Sequence, residues 1–150
     1  MKLIYKMEIF KIENHFDLYE QALDFWPLSK DLSDTVKEVF FKDTNISPTG
    51  KTVFQQVYEF MQRKLEAGLD SESGFDNILD SFGFDLDDDS QLFLIWHVDK
   101  NIDIVQVKTL RQFWKSIWYG VGDESLIMYA PNNFVILVCD WGEVGMKDLS

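Results

Sequence analysis

Leu92-Phe93-Leu94-Ile95-Trp96-His97-Val98, then Asp99-Lys100-Asn101, then Ile102-Asp103-Ile104-Val105-Gln106-Val107: this stretch decides the fold. A mostly apolar run rich in β-branched and aromatic residues, a polar turn and a second run with polar residues interspersed predict a β-hairpin. Toward the C-terminus, residues 125–129 and 134–139 predict a second hairpin across Ala130-Pro131-Asn132-Asn133, and a short strand is expected after Gly142. Between the hairpins, Thr109 is expected to cap a short helix over residues 110–117.

Toward the N-terminus the pattern turns helical. Partial alternation over residues 3–12 predicts one early strand. Asn14 is then expected to cap a helix running to about Phe25, stopped by Pro27. Ser33 or Asp34 is expected to cap a second, with Val36, Val39 and Phe40 on one side. Ser47-Pro48 predicts a third, because a hydroxyl cap followed by proline suits a first turn. Val53, Phe54, Val57, Phe60, Met61 and Leu65 give it an apolar face, and Gly68 its end. A fourth spans residues 75–82. Helices thus precede residue 85 and strands follow residue 90. This segregation predicts an α+β fold, its mainly N-terminal helices packed on one face of an antiparallel sheet formed mostly by the C-terminal half. At 150 residues, with no Pro/Gly/Ser linker, one globular domain over residues 1–150 is expected.

The acids are unevenly distributed. Between Lys64 and Lys100 stand ten Asp and Glu and no Lys or Arg. Leu69, Phe75, Ile78, Leu79, Phe82 and Leu86 run through the same segment, so a folded surface of one sign is predicted rather than a disordered tail. With a net charge of −12 and a pI near 4.4, phosphate-binding clusters of Lys and Arg are missing. Nucleic acid and anionic membranes are therefore not expected as direct partners, whereas a basic protein suits the charge. Aromatics at 15% exceed what a core needs and supply candidates for a contact surface. The single Cys139 excludes an intramolecular disulfide, and the first residues show no signal-peptide core, so a cytoplasmic setting is expected.

Signatures of catalysis are incomplete. Gly50-Lys51-Thr52 lacks the earlier glycine of a phosphate loop, with Asn45 at that place. Asp85-Leu86-Asp87-Asp88-Asp89 opens like a calcium loop, but Ser90 stands where glycine is needed and Trp96 where a bidentate Glu belongs. Adventitious cation binding there, or a small metal-dependent hydrolase using residues 85–89, is the alternative that the cluster leaves open. His97 is read as a packing residue of a strand, His15 as an exposed one near a helix start, and Cys139 as a small buried hydrophobe. No nucleophile–base pair is assembled, no zinc-ligand spacing is present and no cofactor is expected; the chain is not expected to be an enzyme.

Phe113, Trp114, Ile117 and Trp118 share a helical face and are expected in the core. Tyr119 then enters a turn, Gly120-Val121-Gly122-Asp123-Glu124, where an aromatic stands beside two acids. The pattern Phe113-Trp114-Lys115-Ser116-Ile117-Trp118-Tyr119, the turn Gly122-Asp123-Glu124, the following hairpin and Asp140-Trp141-Gly142-Glu143 together resemble the immunity proteins of bacterial toxin–immunity systems. The likeness is to those neutralising contact-dependent growth-inhibition toxins, and it covers the last third of the chain. It implies a cytoplasmic inhibitor that binds a cognate toxin, and the acidity suits a basic nuclease. The residues expected to meet the partner are Asp70, Glu72, Asp76, Asp80, Asp85, Asp87, Asp88 and Asp89, with Tyr119, Asp123 and Glu124 as a second patch. An acidic interaction module, or a nucleic-acid mimic without a toxin partner, is the other reading compatible with the charge.

Overall fold

A computed structural model describes residues 7–48, 53–97 and 100–150. Among these, five helices surround one seven-stranded antiparallel sheet. The helices are α1 (Ile9–Tyr19), α2 (Lys30–Thr44), α3 (Val53–Phe60), α4 (Gly74–Phe82) and α5 (Val107–Ile117). The strands are β1 (Trp26–Pro27), β2 (Arg63–Glu66), β3 (Gln91–Ile95), β4 (Asp103–Gln106), β5 (Leu126–Ala130), β6 (Phe134–Val138) and β7 (Glu143–Asp148). Their order across the sheet is β1-β4-β3-β5-β6-β7-β2. The α+β class and the C-terminal weight of the sheet follow the segregation of patterns in the sequence, and both expected hairpins form, β3–β4 and β5–β6.

The strands alternate between two cores, as the two-residue period of a strand requires. Leu92, Leu94, Met128, Ile136 and Val138 join Phe75, Ile78 and Leu79 of α4 and Leu110, Trp114 and Ile117 of α5. Ile95, Ile127, Tyr129, Val135 and Leu137 face the other way, against Phe40 of α2 and Val53 and Val57 of α3. Helices therefore lie on both faces, where one covered face was expected. The reason is visible in β5 and β6, every residue of which is buried. A strand with both faces apolar needs cover on both sides. Full burial of each large side chain here contributes about 1.5–3 kcal/mol.

Several boundaries differ from expectation. Residues 3–6 of the expected early strand lie outside the described residues, and Ile9 onward is helix. Asn14 is interior to α1, which ends at Glu20 in the left-handed conformation, φ 56°. Pro27 pairs with Asp103 in an edge strand, a position that tolerates a missing N–H. Ser29, not Ser33, caps α2, accepting from the Leu32 N–H at 3.2 Å. The Ser33 hydroxyl instead accepts from Ile102 N–H at 2.9 Å, joining helix to sheet. Residues 49–52, with Gly50-Lys51-Thr52, lie outside the described residues. The third helix stops at Phe60, and Arg63–Glu66 pairs along β7, so the apolar spacing through Leu65 did not mark helix. The last helix starts at Val107 and bends at Phe113, φ −129° and ψ 34°; Thr109 is buried inside it.

Candidate functional site

α1, α4 and α5 form one layer, and the sequence-predicted acids sit along and beside it. Asp70 and Glu72 lie in the loop before α4, Asp76 and Asp80 on α4, and Asp85, Asp87, Asp88 and Asp89 in the loop that leads to β3. Arg111 of α5 holds two of them. Its guanidinium meets Asp76 at 3.1 Å and Asp88 at 2.7 Å, and Nη2 donates to the Leu86 carbonyl at 3.0 Å. The N–H of Lys108 donates to the Asp88 carbonyl at 3.0 Å, so the 85–89 loop is tied to α5 at Leu86 and Asp88. Asp70, Glu72, Asp80, Asp85, Asp87 and Asp89 remain exposed and make no ion pair among the described residues.

The second predicted patch lies against the first. Gly120 approaches the Asp70 carboxylate so closely that a Cβ there would stand 3.0 Å from Oδ1. Within that patch the three residues divide. Tyr119 is exposed, stacks edge-on with Phe10 of α1 at 5.5 Å and accepts from Asn14 Nδ2 at 3.1 Å. Glu124 is half-buried and pairs with Lys100 at 3.3 Å. Asp123 faces inward. Its Oδ2 receives the Lys11 ammonium at 2.6 Å and the Tyr119 N–H at 2.8 Å, and its Oδ1 receives the Glu124 N–H at 2.8 Å. Lys11 is 1% exposed; it also donates to the Ile117 carbonyl at 2.8 Å and lies over the Trp96 ring at 4.5 Å. A carboxylate so occupied organises the turn and presents no free charge to a partner.

His15, expected to be exposed, is 1% exposed. Its Nδ1 is 2.8 Å from the Ser116 hydroxyl, and its ring packs against Phe113 and Tyr19. Burial lowers its pKa, so the neutral ring is favoured. The pair sits in a shallow hollow of about 220 Å³ lined by Asn14, Leu18, Tyr19, Lys115 and Tyr119. Geometry thus joins a histidine to a hydroxyl that the sequence left unconnected, since their partners are 101 residues apart. His97 lies beyond the end of β3 and is exposed. Cys139 is buried, and its thiol is pushed up to about 12, mainly by burial and further by Glu143 and Asp140. A second hollow, of about 200 Å³, lies between α3 and β6, where Tyr58 meets the exposed Trp141 ring at 5.5 Å.

Among the described residues, no group of three His, Cys, Asp or Glu converges to hold a metal ion, the 85–89 cluster included. Nor is any described helix long and apolar enough to cross a membrane. Phe10 and Tyr119 form an exposed aromatic pair, and Val121 and Trp141 are exposed further along the chain, with Val121 Cγ2 close against Gly142. Sequence reasoning missed the α1 member of that pair, because residues 3–12 read as a strand and Ile9–Tyr19 is helix. Exposed apolar side chains thus stand near exposed acids, with Lys115 of α5 in the hollow beside Leu18 and Tyr119. No known protein family matches this chain, and no curated protein resembles it in sequence.

Proposed function

We propose that this chain is a cytoplasmic immunity protein that binds a cognate basic toxin, of nuclease type, and neutralises it by protein–protein contact. The observation that carries the reading is the set of six exposed acids from Asp70 to Asp89 that make no ion pair among the described residues. Long-range attraction from such a face speeds capture of a basic protein, and capture must be fast to protect the cell that makes both. A nuclease is basic where it holds phosphate, so carboxylates at comparable spacing compete for the same Lys and Arg. The resemblance of residues 113–143 to immunity proteins points the same way. No catalysis by this chain is required.

The test is charge reversal at Asp85, Asp87 and Asp89, three acids that make no ion pair among the described residues. The triple Lys variant is expected to fold normally and to associate with the cognate toxin roughly 10- to 100-fold more slowly at low salt, with a flatter salt dependence. Co-expression with the toxin then reads out lost protection. Unchanged association would remove the 85–89 loop from the interface.

A further inference from the structure

Helix α1 is built inside out. Its buried side chains are Lys11 and His15. Ile12 is partly buried against the core, but four other large apolar side chains face solvent: Ile9 is 57% exposed, Phe10 44%, Phe16 56% and Leu18 72%. A folded chain rarely leaves so much apolar surface on one helix unless something else covers it. The charge that α1 itself turns outward is also one-sided. Helical spacing puts Glu13 and Asp17 on the outermost ridge, with Ile9 and Phe16 on one flank and Phe10 and Leu18 on the other. Glu20 follows at the C-terminal end. From Met7 to Ser29 the sequence has one cation, Lys11, and it is turned inward onto Asp123. Across the seam, α5 contributes Lys108 and Lys115.

A second copy of this chain fits that surface poorly. A two-fold contact would set the ridge of Glu13 and Asp17 against its own copy, between molecules that each carry −12. A cationic partner with apolar side chains of its own fits on both counts. We infer that the outer surface of α1 is the docking site for a basic amphipathic segment of a partner protein. The segment's apolar side chains seat on Phe10 and Leu18, the flank that meets Tyr119, and its Lys or Arg side chains lie over Glu13 and Asp17. This rests on the basic partner proposed above and adds an apolar anchor outside the 66–89 block. Tyr119, against Phe10, continues the anchor toward Asp70.

The probes are a Leu/Lys amphipathic helical peptide and a Ser/Lys peptide of equal length and charge, titrated into the full chain with amide NMR shifts recorded. The Leu/Lys peptide is expected to bind about tenfold tighter, shifting residues of α1 and Tyr119. The variant Phe10→Ser/Leu18→Ser, altered only at exposed positions, should abolish that preference and leave Ser/Lys binding unchanged. Glu13→Gln/Asp17→Gln should weaken both peptides. Equal binding of the two peptides, with shifts confined to residues 70–89, would overturn the α1 site and leave the acidic face standing. Failure of both peptides to bind at low salt would overturn both readings. Sedimentation showing a dimer that Leu18→Ser dissolves would assign the surface to a second copy and overturn the inference.

Discussion

The Lys11 ammonium lies 2.6 Å from Asp123 with both side chains nearly dry, at 1% and 7% exposure. Removing one member of a buried pair leaves the other charge uncompensated, so Lys11→Met is expected to cost about 3–5 kcal/mol, read as a lower urea midpoint. Asp123 was legible as an acid in a turn; its role was not, because its partner lies 112 residues away in the chain. His15 adds a pH dependence. Burial lowers its folded-state pKa below the unfolded value, so below about pH 6.5 the unfolded chain takes up more protons than the folded one. The stabilisation is complete above that pH and is lost as pH falls toward the folded-state pKa. Urea midpoints measured between pH 7 and 5 should therefore fall, and His15→Gln should flatten that part of the slope. Cys139, buried and with its thiol near 12, is expected to resist thiol reagents at pH 8 until the protein is unfolded.

At the scale of elements, α4 and α5 meet through a glycine. A Cβ on Gly74 would come within 2.5 Å of both the Leu69 carbonyl and the Trp114 ring, whose Nε1 donates to that same carbonyl at 2.9 Å. Gly74→Ala is therefore expected to cost about 1–3 kcal/mol through overpacking, measurable as a drop in Tm, despite alanine's better helix propensity. Periodicity found α4, the two hairpins and the apolar face of α5, because in each the apolar residues are those that bury. It failed at α1, where Lys11 and His15 go inward and Phe10, Phe16 and Leu18 stay out. It failed again at residues 63–66, whose strand character comes from pairing with β7 about 80 residues later, a contact no local pattern contains. The second covered sheet face was legible in Phe134-Val135-Ile136-Leu137-Val138, which has no polar alternation at all.

For the whole molecule, the sequence showed that the acids cluster; the fold determines which of them remain available. Arg111 occupies Asp76 and Asp88, Lys11 occupies Asp123, and Lys100 engages Glu124, so among the described residues Asp70, Glu72, Asp80, Asp85, Asp87 and Asp89, together with Tyr119, stay exposed for the partner proposed above. Neutralising Arg111 with Arg111→Gln should loosen the 85–89 loop. Because the guanidinium is about a third exposed, with a side-chain accessibility of 31%, the cost in stability is expected to stay near ~1 kcal/mol, visible as faster amide exchange in the loop. The measurement that bears most directly on the proposed function is affinity capture from a lysate of the protein's own cells. It would be run at low and at high salt, in parallel with the Asp85→Lys/Asp87→Lys/Asp89→Lys variant, with mass spectrometry of what is retained. One basic protein held at both salts by the native chain, and much reduced on the variant, is the predicted result. A spread of basic proteins that all wash off at high salt, or a partner retained equally by the variant, would contradict specific inhibition through this face.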